Sequence, residues 1–229
     1  MKIKYRKKKN MENKEYKFSL ILGRFNHIHL GHKMLIDESI KKVEKTLVLI
    51  GSMQESGTLR NPFSYDTRKR LIEKIYRDEP SIIIAGLEDM SNEHDISFDW
   101  GRYILDNVYK ISGQKPDIMF YGNDESRLGW FAKEDIEGIH EEVVSRDIFK
   151  VSATYLRGLI ITNNKEEWKK YVHENIFDEF ENLRNELINI DVYKEILSKV
   201  TNKNDVEEFL SVYKEYERVD KENKIKGKK

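Results

Sequence analysis

The sequence predicts an α/β protein: a doubly wound parallel sheet followed by a helical C-terminal extension. Three observations carry this. Short β-rich apolar runs alternate with segments of helical periodicity from Phe18 to Val151, and such alternation implies a parallel sheet joined by right-handed crossovers. Polar loops follow the first two apolar runs directly, at the strand ends where parallel sheets build a ligand crevice. From Thr154 onward the pattern is helical throughout.

The first strand is Phe18–Gly23, an apolar run closed by glycine. A helix follows, with Ile36, Ile40 and Val43 on one face at helical spacing. Thr46–Gly51 is a second buried strand, and a loop runs from it to Ser64. The next helix carries Leu71, Ile72, Ile75 and Tyr76 as two i,i+4 pairs. Ser81–Ala85 is the third strand. The polar loop Glu88–Ser97 leads to a helix with Ile104, Val108 and Ile111 inward. Asp117–Tyr121 is the fourth strand. A fifth falls at Glu142–Val144 or at Ile148–Val151. Beyond these, Phe177, Phe180, Leu183 and Leu187 form an apolar stripe, and Val206, Phe209, Leu210, Tyr213 and Tyr216 a weaker one. Both suit packing against the sheet domain or against a second subunit of a homo-oligomer. The end, from about Glu217, is expected to fray. The organisation expected is an N-terminal arm over 1–16, an α/β domain over 17–172 and a helical extension over 173–229.

Composition narrows the chemistry. The chain has 229 residues, 41 Lys plus Arg against 41 Asp plus Glu, and no cysteine. Zero net charge gives no general reason for a nucleic-acid partner. Without cysteine there is no thiol catalysis, disulfide or cysteine-bound zinc, and a reducing, cytoplasmic setting fits. No apolar run reaches membrane-spanning length. The basic start (Lys2, Lys4, Arg6, Lys7, Lys8, Lys9) lacks the apolar stretch of a secretory signal. It reads as a solvated, disordered tail, with an electrostatic arm for RNA or anionic lipid as the alternative.

Three segments carry the chemistry. Gly23-Arg24-Phe25-Asn26-His27-Ile28-His29-Leu30-Gly31-His32 runs from the first strand into the first helix. Gly23 allows close backbone approach. His29 and His32, three apart, can face one space, where imidazole N–H groups bind phosphate oxygens and stabilise developing charge. His27 alternates with His29 and points elsewhere. Taken singly, these would be turn histidines or a metal cluster, and the combined pattern favours a phosphate site. Gly51–Ser64 follows the second strand with small and hydroxyl residues, Arg60 and the turn signal Asn61-Pro62. Val151-Ser152-Ala153-Thr154-Tyr155-Leu156-Arg157 opens a helix whose first N–H groups can bind phosphate, with Arg157 one turn beyond Thr154.

Together, in this order, the segments resemble the nucleotidylyltransferase superfamily with the His-x-Gly-His signature, and more closely the archaeal-type nicotinamide-nucleotide adenylyltransferases. The resemblance spans about Phe18 to Tyr171, and the Gly51–Phe63 segment points to that branch. It implies a Rossmann-like nucleotidylyltransferase fold and a reaction between ATP and nicotinamide mononucleotide that yields NAD and pyrophosphate by in-line attack. Mg²⁺ would travel with ATP, with no metal ligands expected from the chain. By motif, His29 and His32 would contact the ATP phosphates and stabilise the transition state, and Arg60 and Arg157 would bind phosphate. Gly23, Arg24, Phe25 and Gly31 would line the nucleotide site, and Ser152 and Thr154 would lie near ATP. Asn123, in Tyr121-Gly122-Asn123, would hydrogen-bond substrate or shape its turn. Asp89 and Trp100 resemble the family's nicotinamide-pocket pair at a longer spacing, and Trp100 serves equally well as a core residue of its helix. Asn26-His27 replaces the family's usual Gln-Pro. Nicotinate mononucleotide or another phosphorylated acceptor, and a nucleotide-binding regulator without catalysis, are the competing readings.

Overall fold

The computed structural model describes residues 14–90, 98–123, 130–145 and 151–226. The basic run Lys2 to Lys9 of the N-terminal arm therefore lies outside the described residues, as do most of Asp124–Trp130 and Ile148–Lys150. Five strands form one parallel sheet in the order β3-β2-β1-β4-β5. They are β1 (Tyr16–Gly23), β2 (Val43–Ile50), β3 (Ile82–Gly86), β4 (Ile118–Gly122) and β5 (His140–Val144). The chain winds outward through β1, β2 and β3, then returns to place β4 on the other side of β1. That reversal is the switch point at which parallel α/β sheets open a crevice.

Strand alternation sorts the side chains to two faces. Phe18, Leu20, Leu22, Leu47, Leu49 and Met119 pack with Ile104, Leu105 and Val108 of α3 (Phe98–Ser112). Ile21, Val48, Ile50, Ile118 and Phe120 face the other core, with α1 (Leu30–Lys42), α2 (Tyr65–Tyr76) and α4 (Ala153–Ile161). The sheet is thus covered on both faces, as a run of buried parallel strands requires.

The C-terminal segments α5 (Lys165–Lys169), a 3₁₀ turn (Glu174–Glu179), α6 (Phe180–Asn189), α7 (Asp191–Lys199) and α8 (Val206–Lys226) continue the second core. Phe180, Leu183, Leu187, Phe209 and Tyr213 are buried there, and Phe177 is half-buried. Both stripes therefore find cover within the chain. Polar contacts lock the docking. Lys74 bridges Asp178 at 2.7 Å and Glu179 at 2.6 Å, and Thr67 Oγ1 donates to Glu186 at 2.9 Å.

Three expectations change, and one choice between two positions is made. Val43 begins β2 rather than ending the first helix face, because a β-branched residue suits an extended strand that is buried at once. Ile111 is 40% exposed; it sits in the last turn of α3, beyond the sheet it would have covered. The fifth strand takes the first of its two positions. The end, expected to fray from about Glu217, is assigned as helix to Lys226 in α8. Among the described residues, no helix is long and apolar enough to cross a membrane.

Candidate functional site

A cavity of about 330 Å³ opens at the carboxyl ends of β1 and β4. Leu22, Gly23 and Gly122 form its floor, and Arg24, Phe25, Asn26, His32, Arg60, Ala153, Thr154 and Arg157 stand around it. Three segments far apart in sequence meet here because each follows a strand or opens a helix at the same end of one sheet.

His29 caps α1. Its Nδ1 accepts from the Gly31 N–H at 3.2 Å, so the neutral ring carries its proton on Nε2. The His29 and His32 rings lie 3.8 Å apart, tilted by 30°. His32 lines the cavity and rests on Phe25 at 4.9 Å. His32 thus faces the cavity, while His29, expected to do the same, is buried behind it and does not line it, because its ring is turned to cap the helix start.

His27 is separated from that pair. It is fully buried, its Nδ1–H donates to Ile28 O at 2.7 Å, and its Nε2 accepts from Trp168 Nε1 at 3.1 Å. Both nitrogens are spent on structure. Burial pushes its pKa down to about 4, so the folded state holds the ring neutral. The unfolded chain takes up a proton below about 6.5 and the folded protein resists it, so stability is full above that pH and falls toward pH 4. The loss expected is about 3 kcal/mol. Urea unfolding at pH 7.5 and 4.5, for wild type and His27→Leu, checks this. The wild type should lose more stability than the variant on acidification, and parallel profiles would sink the assignment.

Arg157 is 4% exposed. Its Nη1 donates to Asn26 O at 2.8 Å and its Nη2 to Thr154 Oγ1 and Tyr213 OH, each at 3.0 Å. Its Nε–H has no protein partner, which leaves one buried donor beside the cavity. Burial works against its charge, and the neighbouring phenols Tyr193 and Tyr213 outweigh it, raising the pKa. The guanidinium is a permanent cation.

The remaining predicted residues fall less centrally. Gly31 is buried in α1 and contributes the N–H that orients His29. Ser152 is the N-cap of α4, accepting from Tyr155 N–H at 3.1 Å, and its O–H is left to donate. The backbone N–H of Asn123 donates to Val144 O at 3.3 Å and ties β4 to β5, while Gly122 lines the cavity in its place. Asp89 N–H donates to Gln54 Oε1 at 3.2 Å. Trp100 stacks on Tyr103 at 5.6 Å and meets Trp130 edge-on at 6.4 Å, against the α3-side core. Neither Asp89 nor Trp100 lines the cavity.

The structure also brings in residues that sequence reasoning passed over. Arg68 is fully buried on α2. It donates to Arg24 O at 3.0 Å, Gly51 O at 2.8 Å and Ser52 O at 3.0 Å, and so clamps the first loop to the second. Each loop holds a left-handed, non-glycine residue beside the clamp, Phe25 at φ 50° and Ser52 at φ 50°. Such conformations persist only where surrounding bonds hold them. Asn26 adds a direct link: its Nδ2 donates to Asn61 Oδ1 at 2.9 Å and its Oδ1 accepts from Phe63 N–H at 3.3 Å. Tyr213 and Glu217 of α8 complete the cavity wall. The only sequence signal for Tyr213 was the weak apolar stripe of α8, and Glu217 carried none.

The arrangement offers cations, the His32 imidazole and the start of α4 around one concave space, the equipment for a polyphosphate. Comparison with known proteins agrees. Residues 20–176 match a family model described as cytidylyltransferase-like. The nicotinamide-nucleotide adenylyltransferase of Archaeoglobus fulgidus is 26% identical over 165 residues, covering 69% of this chain and 87% of the relative. That of Thermococcus onnurineus is 30% identical over 166 residues, covering 70% and 80%. A solved bifunctional NMN adenylyltransferase/ADP ribose pyrophosphatase from Francisella tularensis shares the fold at TM-score 0.61 and 23% identity. That alignment covers 80% of this chain and 53% of the other, so the chain spans about half of the bifunctional protein. With the three segments in place around one cavity, and with matches of this extent, the chain belongs to the cytidylyltransferase-like family and, within it, to the nicotinamide-nucleotide adenylyltransferases.

Proposed function

We propose that this protein transfers the adenylyl group of ATP to nicotinamide mononucleotide, forming NAD and pyrophosphate. The observation that carries the reading is the close His29–His32 pair at a helix start, with His32 lining a cavity shared by Arg60, Thr154 and Arg157. The acceptor is read from the names of the relatives and from the Gly51–Phe63 segment, whose Arg60 reaches the same cavity.

In this reading an oxygen of the acceptor's 5′-phosphate attacks the α-phosphorus of ATP. The bond from that phosphorus to the bridging oxygen breaks, and the electron pair leaves with pyrophosphate. The chain contributes position and charge rather than a covalent intermediate. Arg60 and the free Nε–H of Arg157 hold phosphate oxygens. His32, steadied by His29 and Phe25, donates to oxygens whose charge grows in the transition state. Gly23 and Arg24 let the nucleotide approach the end of β1. Among the described residues, no group of three or more His, Asp or Glu side chains is arranged to hold a metal ion. The divalent cation, Mg²⁺ in this reading, enters on the ATP phosphates as part of the substrate. We read the enzyme as cytoplasmic, where ATP is supplied.

The test is pyrophosphate release from ATP and Mg²⁺ with nicotinamide mononucleotide or nicotinate mononucleotide as acceptor. Turnover with the former, and NAD as its product, is expected. Turnover with neither would end the reading, and turnover with nicotinate mononucleotide alone would move the acceptor.

A further inference from the structure

One wall of the cavity comes from beyond the matched family segment, which ends at residue 176. Helix α8 places Tyr213 and Glu217 there. They are one helical turn apart, so a single face of α8 presents both.

Tyr213 is 1% exposed. Its hydroxyl accepts from Arg157 Nη2 at 3.0 Å and donates to Leu59 O at 3.1 Å. The Arg157 guanidinium also lies over the Tyr213 ring, 5.8 Å from its centre. Tyr193 of α7 donates to the same Leu59 carbonyl at 3.0 Å. A carbonyl oxygen has two lone pairs, and two phenols from the C-terminal helices occupy those of Leu59. The next residue is Arg60. One hydroxyl thus touches both the guanidinium of one cavity cation and the backbone that carries the other.

We propose that Tyr213 is a positioning residue for adenylyl transfer, setting Arg60 and Arg157 on the cavity wall and making the C-terminal helices part of the site. Its kinetic consequence rests on the adenylyl-transfer reading. Its consequence for phosphate binding does not.

A purely structural role would reside in the ring, which packs with Tyr193 at 6.3 Å and Phe209 at 6.1 Å. Tyr213→Phe keeps that ring and removes only the hydroxyl. Tyr216→Phe makes the same change three residues on, where the hydroxyl bonds Glu195 at 2.6 Å on an exposed surface away from the cavity. Tyr213→Phe is expected to raise KM for ATP about tenfold with kcat altered less than about threefold, because the cations hold phosphate in ground and transition states alike. Pyrophosphate binding by calorimetry should weaken by about the same factor. Tyr216→Phe should match wild type in both.

Unchanged pyrophosphate affinity in Tyr213→Phe would overturn the proposal, as would equal losses in the two variants or a wild type that binds no pyrophosphate. If wild type turns over neither pyridine nucleotide, the proposed reaction falls while the pyrophosphate measurement still decides the positioning role. Should Tyr213→Phe not fold, Tyr193→Phe removes the other phenol from Leu59 O. It is expected to weaken pyrophosphate binding about threefold, and no change would count against the proposal.

Discussion

His32→Ala is expected to lower kcat by about 10²–10³ while ATP affinity stays within about threefold of wild type. The asymmetry follows from the wall of the cavity. Arg60, Arg157 and Thr154 line it independently of His32, so the ground-state grip on the phosphates survives. What disappears is a donor poised for charge that develops only as the bond to pyrophosphate breaks, and only such interactions accelerate chemistry. His32 is half-buried at the cavity edge, so its truncation leaves the core intact, and a circular dichroism spectrum should not change. His29 would lose its close neighbour at 3.8 Å but keep the bond from Gly31 that fixes its tautomer. Pyrophosphate release under saturating substrates, paired with calorimetric ATP binding, separates the two quantities. Wild-type turnover in the variant, or a loss of affinity as large as the loss of rate, would remove His32 from the role assigned to it.

Arg68→Met should cost about 3–5 kcal/mol of stability, a fall in Tm of about 10 °C for a chain of this size. Methionine retains the apolar stem and removes the guanidinium. The carbonyls of Arg24, Gly51 and Ser52 then lose their donor in a site closed to water. Burial, with the charge of Arg24 behind it, pushes the Arg68 pKa down to about 10, so the side chain remains charged at neutral pH and its bonds are charge-assisted. The loss should also reach the site. Phe25 and Ser52 would no longer be held in their left-handed conformations, and Phe25 supports His32. A shift of the catalytic groups by about an ångström costs on the order of 10²-fold in kcat/KM. Arg68→Lys should recover only part of this, since an ammonium lacks the planar fork that spans three carbonyls on two loops. Thermal unfolding and steady-state kinetics on both variants read the two effects. An Arg68→Met protein within about 1 kcal/mol of wild type would show that the loops hold themselves.

Much of the site was legible because its chemistry is local in sequence. Gly23 to His32 holds a strand end, a turn and a helix start in one stretch, and the spacing of His29 and His32 places them together whatever the rest of the chain does. The same holds for Thr154 and Arg157, one helical turn apart. The parallel sheet was legible for a related reason: strands buried on both faces must be apolar along their whole length, and helices must carry a periodic stripe. Arg68 was hidden because its partners are backbone carbonyls 44, 17 and 16 residues away, and a carbonyl acceptor leaves no mark on side-chain sequence. Trp100 serves a pocket or a core equally well by pattern, and only the fold shows that its neighbours are Tyr103 and Trp130.

The sequence by itself determined the class of fold and the placing of His29 and His32 at one strand-to-helix turn, since both depend on periodicity and short spacing that the chain cannot escape. Only the tertiary structure decided which residues share the cavity. Tyr213 bonds a carbonyl 154 residues away, and Arg157 donates to one 131 residues away. Contacts at that separation come from how helices pack across a sheet, a property of the burial of the whole core, and no local pattern encodes them.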